Sequence, residues 1–345
     1  MTINDLIKQY DTQNQIEVLK NSYGQIEFAW DNKFDVSRMK DFKYSAILLT
    51  GLGGSAIAGD ILQNFLSDEL KTPFVINRSY SLPQFINENS LVIVSSYSGN
   101  TEETISVLNE ALKRKCKIIC VGSGGKIKQI SEENNLPYIT VKGSYQPRFA
   151  LYISFFTVLK IFQQLNLIEP KDKLVSSILN LLKDKTAEYL KEENISIETA
   201  KSLIGFIPVI YAGDIISSVG YRFKCQVNEN SKLNAFSNVI PEMNHNEIIG
   251  WESYLDKQFN AKVVNLIDKD YHPQVSKRFL VTSELIRNAG VEIINLESKE
   301  DDFRVRMFDL IYLCDWISYY LAVLRGFDPI TIKNINTLKE RLANP

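Results

Sequence analysis

Short runs of consecutive apolar, largely β-branched residues alternate in this chain with longer stretches in which apolar residues recur every third or fourth position. Residues 46–50, 74–77, 91–95, 117–121 and 138–141 read as buried strands, and 55–66 and 102–115 read as helices between them. Strands that are apolar throughout, joined by amphipathic helices, predict parallel pairing and a doubly wound α/β sheet. The apolar helix 149–165 closes this half, and Glu169-Pro170-Lys171-Asp172-Lys173 reads as a linker. The alternation then resumes. Helices at 174–190 and 197–203 lead into a strand at 208–213 and a helix at 217–230; strands at 262–267 and 291–296 flank a helix at 274–289, and a long helix covers 303–324. Asp328-Pro329 has the form of a helix start, with the last helix ending near Leu342. The expected organisation is an amino-terminal helical extension (1–43), two related sheet domains (44–168 and 174–327) and a carboxy-terminal helix (328–345).

Length agrees with two domains, because 345 residues exceed the size at which one core stops growing. Charge narrows the partners. Lys plus Arg number 39 against 41 Asp plus Glu, with no basic block, which argues against nucleic acid or a membrane surface and for a small molecule or a protein. Cys116, Cys120, Cys225 and Cys314 show no metal-ligand spacing and read as reduced core thiols. The amino terminus lacks the layout of a signal peptide, and the apolar run 149–159 is too short to span a bilayer; a cytoplasmic protein is expected.

Candidate chemistry gathers at strand ends. Ser95-Ser96-Tyr97-Ser98-Gly99-Asn100-Thr101-Glu102 forms a strand-to-helix turn rich in hydroxyls, at the positive end of a helix dipole. A phosphate would suit it; Asn100 with Glu103 also has the spacing of a plain capping box. Gly51-Leu52-Gly53-Gly54-Ser55-Ala56 ends the first strand. Gly51, Gly53 and Ala56 fit the dinucleotide fingerprint, but the second strand ends Ile76-Asn77-Arg78, without the acidic residue that would hold a ribose. Arg78 would suit a 2′-phosphate, which keeps an NADP-dependent oxidoreductase as one alternative. A sugar phosphate gripped by both turns is the simpler reading. Arg148, at the start of an apolar helix, opposes the helix dipole and calls for an anion, unless it is simply exposed. Glu229 lies at the end of the helix 217–230, where a carboxylate is disfavoured as an anion and suited to capture a proton. His245 lies in Pro241-Glu242-Met243-Asn244-His245-Asn246-Glu247, between two amides able to orient it, and reads as an acid or base rather than a metal ligand. His272 reads as surface. In the final helix Ile332, Ile335, Leu338 and Leu342 form an apolar stripe, with Lys339 inside its arc.

Taken together, the glycine turn, the serine-rich turn, Pro147-Arg148 and the segment from Pro241 to Glu247 resemble the bifunctional phosphoglucose/phosphomannose isomerases, from about Ala46 to Leu342. The resemblance implies two sugar-isomerase (SIS) domains of flavodoxin-like type. It also implies interconversion of glucose and mannose 6-phosphate with fructose 6-phosphate through a cis-enediolate, with no cofactor or metal. Residue by residue, it would make Glu229 the C1–C2 proton shuttle and His245 the ring opener. Arg148 would steady the enediolate, Lys339 would meet the ring oxygen, and Gly53, Gly54, Ser55, Ser96, Ser98 and Thr101 would hold the phosphate. A homodimer that donates His245 across its interface is implied as well. A non-catalytic phosphosugar sensor is the other alternative.

Overall fold

The computed structural model describes residues 1–256 and 259–343. The chain divides into one unit of residues 21–180 and another of residues 1–20 with 181–345. Three helices open the chain, α1 (Ile3–Tyr10), α2 (Gln15–Lys20) and α3 (Ser22–Asp31), and the division falls between the last two.

The first unit holds β1 (Ile47–Thr50), α4 (Gly54–Phe65), β2 (Phe74–Asn77), β3 (Leu91–Ser95), α5 (Glu102–Lys113), β4 (Lys117–Gly122), α6 (Gly125–Glu133), β5 (Tyr138–Thr140) and α7 (Leu151–Gln164). Its five strands pair in the order β2-β1-β3-β4-β5, all parallel. The parallel order follows from the fully apolar strands, because each must be covered on both faces by crossover helices. On one face Leu48, Val92, Val94, Ile118 and Cys120 meet Val107, Leu108 and Ala111 of α5 and Ile127 and Ile130 of α6. Burial of each such aliphatic side chain stabilises by roughly 1.5–3 kcal/mol. The expected linker is bound to this unit: Trp30 Nε1 donates to Asp172 Oδ1 at 3.0 Å, and Lys171 pairs with Glu69 at 2.6 Å. Helix α8 (Asp172–Tyr189) starts inside that segment, and the division between the units falls within it.

The second unit continues with α9 (Ile195–Ser202), β6 (Ile207–Gly213), α10 (Ser217–Ser231), β7 (Phe236–Ile240), β8 (Ala261–Ile267), α11 (Pro273–Asn288), β9 (Ile293–Glu297), α12 (Phe303–Leu324) and α13 (Lys333–Ala343). Its four parallel strands run β7-β6-β8-β9. Helix α12 is long and apolar enough to cross a membrane by composition, but 94% of that stretch is buried within the fold, as in a core helix. Where it packs on α10 runs a polar seam. Arg222 donates to both oxygens of Asp315 (2.8 and 3.0 Å), Gln226 donates to Asp315 Oδ1 (3.0 Å), and Asn230 donates to Ser318 Oγ (3.0 Å). Positions 222, 226 and 230 repeat every four residues, so one side of α10 carries the whole seam.

Helix α13 departs from expectation. It starts at Lys333 rather than at Asp328-Pro329, where the Asp328 carboxylate instead accepts from Ile330 N (2.7 Å) and Thr12 Oγ1 (2.5 Å). The expected inward stripe faces outward: Ile335, Leu338 and Leu342 are exposed, and Lys339 with them.

Candidate active site

In an open parallel sheet, ligands bind where the strand order reverses, beyond the carboxyl ends of the strands. In the first sheet that point lies between β1 and β3, and the two turns beyond them are the glycine turn and the serine-rich turn. They interlock. A Cβ on Gly51 would come within 2.8 Å of the Ser95 carbonyl, and Tyr97 N donates to Ser55 Oγ at 3.3 Å. Gly53, at φ +51°, is the N-cap of α4, and Thr101 is the N-cap of α5; neither helix has a side-chain cap. The capping box does not form. Asn100 Oδ1 instead accepts from Lys126 N at 3.0 Å, and Thr101 Oγ1 pairs with Ser96 Oγ at 2.9 Å. Two uncapped helix N-termini therefore meet at one crevice with the hydroxyls of Ser55, Ser96, Ser98 and Thr101, an arrangement that favours a multiply charged anion. Ser98 is exposed at its mouth, with its Oγ accepting from Asn100 N at 3.3 Å.

A second glycine pair, not among the candidate residues, holds the serine turn in place. Gly99 has φ +72°, and a Cβ there would overlap the Gly124 carbonyl oxygen. The signal is present in Gly122-Ser123-Gly124-Gly125, directly after a strand. Arg148 is only 4% exposed, so the simple surface arginine is excluded. It sits in a single 3-10 turn, Pro147–Phe149, with its guanidinium carbon 5.2 Å from the centre of the Phe149 ring. A Cβ on Gly54 would overlap the Pro147 carbonyl, so only glycine lets this turn approach the start of α4 so closely. Arg78 forms an ion pair with Asp60, whose carboxyl burial pushes up while Arg78 pulls it down. The arginine suited to a 2′-phosphate is thus engaged by the chain's own carboxylate.

The second unit carries the other three candidates. Glu229 is half-buried in the last turn of α10, next to the seam residue Asn230. His245 is exposed in a short 3-10 helix, Glu242–His245, beyond β7. The flanking amides do not orient it, contrary to expectation: Asn244 Nδ2 donates to Thr282 Oγ1 (2.8 Å) and Asn246 Nδ2 to Glu242 Oε1 (3.1 Å). What fixes the segment is Glu247, whose carboxylate accepts from Tyr211 OH (2.7 Å) and Asn238 Nδ2 (2.6 Å). His272 is a surface N-cap, its Nδ1 accepting from Gln274 N at 3.1 Å. Helix α10 runs back from the carboxyl end of β6 to the start of β7, whereas His245 follows the end of β7. Glu229 and His245 of one chain therefore lie at opposite ends of a five-residue strand, about 17 Å long. Among the described residues, no group of three or more metal-ligating side chains is clustered.

Sequence comparison agrees with this architecture. Residues 42–151 match the SIS domain, and residues 192–342 match the bacterial phospho-glucose isomerase C-terminal SIS domain. The bifunctional phosphoglucose/phosphomannose isomerase of Caldicellulosiruptor bescii is 37% identical over 95% of this chain and 98% of its own. This chain belongs to that family. The Aquifex aeolicus member is 34% identical over 94% of this chain and 97% of its own. In fold, the chain is similar to a putative phosphosugar isomerase of Clostridium difficile, with a TM-score of 0.70 and 20% identity over 99% and 98% of the two chains.

Proposed function

We propose that this family member interconverts glucose 6-phosphate, and mannose 6-phosphate, with fructose 6-phosphate. The observation that carries the reading is the uncapped, hydroxyl-lined crevice at the first switch point, in a chain of an isomerase family. Gly53, Gly54, Ser55, Ser96, Ser98 and Thr101 bind the phosphate there. Binding of this remote group fixes where C1 and C2 fall, so that part of the binding energy orients the reacting carbons. His245 gives a proton to the ring oxygen as the C1–O5 bond breaks and the O1 hydroxyl gives its proton up to water, with Lys339 beside the ring oxygen. Glu229 then takes the proton from C2 and returns it to C1 while the O2 hydroxyl proton passes to O1, and the two oxygens carry the enediolate charge under Arg148. Return of the proton to either face of C2 yields glucose or mannose.

The separation of Glu229 from His245 along β7 supports a homodimer in which each site takes its histidine from the second copy. Four cysteines left as thiols agree with a cytoplasmic enzyme. The test is proton exchange in deuterated water without metal or nicotinamide. Wild type should place deuterium at C2 and form ketose, whereas a phosphosugar sensor would do neither. Glu229→Gln should cut turnover about 1000-fold or more while still binding fructose 6-phosphate. Mixing it with His245→Ala should restore part of the rate through mixed dimers; wild-type turnover by Glu229→Gln would remove it as the base.

A further inference from the structure

Beyond Glu229 the backbone of α10 turns left-handed at a lysine, as the chain also does at Lys115 after α5. Lys232, the C-cap, adopts the left-handed conformation (φ 51°, ψ 40°), in which its N–H bonds to Val227 O. Glycine is the residue that fills this position at low cost, and a lysine there is strained. Its side chain shows what offsets that strain. Lys232 Nζ donates to the carbonyl oxygens of Glu229 (2.9 Å) and Asn230 (3.1 Å), two of the last carbonyls of the helix, and to the carbonyl of Asp328 at 2.6 Å. Arg325 Nη1 donates to the next carbonyl, that of Ser231. A helix C-terminus leaves four carbonyls without intrahelical partners and favours a cation there, so the capping is sound physics. The third bond is not needed for capping, because it reaches to the segment that leads into α13.

That segment is held from the other side as well. The Asp328 carboxylate accepts from Thr12 Oγ1 and Ile330 N. One ammonium thus ties the backbone of Glu229 directly to the segment that leads into the helix carrying Lys339, while Ser318 of α12 holds the same turn of α10 through Asn230 and Ser231. We propose that Lys232 is a positioning residue that holds the Glu229 carboxylate and the base of α13 in a fixed mutual setting. It touches neither substrate nor reacting atoms. The inference rests on Glu229 being the base.

The test exploits the strain. Lys232→Gly suits the left-handed backbone better but removes the ammonium, so gain and loss of stability oppose one another and the melting temperature should stay within about 4 °C of wild type. Its kcat should nonetheless fall about tenfold or more with KM changed less than about threefold, because a misplaced base costs the chemical step and leaves phosphate binding in the other unit intact. Lys232→Arg, which keeps donors for the carbonyls, should recover most of the rate. Glu229→Gln is assayed alongside. If Glu229→Gln is inactive and Lys232→Gly turns over at the wild-type rate, the positioning role is overturned. It is also overturned if kcat and melting temperature fall together in Lys232→Gly and Lys232→Arg alike. If Glu229→Gln is active, the base assignment fails instead.

Discussion

The two sheets share a winding and differ at the one place where winding makes a crevice. Beyond β1 and β3 the strand ends carry Gly51, Gly53, Ser96, Ser98 and Thr101, and both helices start without side-chain caps. Beyond β6 and β8 the corresponding space is filled. Tyr271 OH accepts from Gly213 N and donates to Leu266 O, both at 2.8 Å, and its ring leaves no room for a Cβ on Gly213. Asp268, at the end of β8, is buried and gripped by Arg306 through bonds of 2.9 and 3.0 Å. Helix α10 also starts without a side-chain cap, whereas His272 caps α11. The difference lies in the hydroxyls, which favour a phosphate, against a carboxylate and a phenol ring, which exclude one. The fold provides the same topological position twice, and side chains fill it in the second sheet.

The contrast is open to attack. Arg306→Met should be the most damaging change, since it leaves Asp268 charged and buried without its partner, at a cost of about 3–5 kcal/mol. Denaturant unfolding would measure that loss, while calorimetry on the protein that remains folded should give unchanged fructose 6-phosphate affinity. In the first sheet Gly99→Ala should cost about 3 kcal/mol from the left-handed backbone and the clash with Gly124, and should also weaken phosphate binding about 100-fold. A variant that binds normally would show that the serine turn is not the phosphate cradle. Tyr271→Phe should be mildest, about 1–2 kcal/mol, and titration with inorganic phosphate should reveal no new site in the second sheet. A second binding event there would mean that the phenol alone keeps the crevice closed.

Much of this is legible in the residues, and the exceptions share a cause. Strands β1, β3, β4, β6 and β8 are nearly all buried, so their apolar runs stand out. Strand β7 escapes the pattern. As an edge strand it buries only Ile240 fully, and Phe236-Ser237-Asn238 looks like loop. Helix α6 escapes it as well, for only Ile127, Ile130 and Ser131 face inward. The stripe on α13 is real but its direction is not in the sequence: periodicity gives a face, and tertiary structure decides what that face meets. Arg148 shows the same limit. Residue type argues for a surface, and only packing shows the guanidinium to be buried.

The approach of Gly99 to Gly124 has a consequence for how such a chain can drift. Because the obstacle at Gly99 is a peptide oxygen rather than a movable side chain, no swap at a neighbouring residue can make room for a larger one. In a saturation library this codon should tolerate almost nothing, whereas the hydroxyls around it admit graded exchange, so the backbone contact is the least replaceable part of the turn.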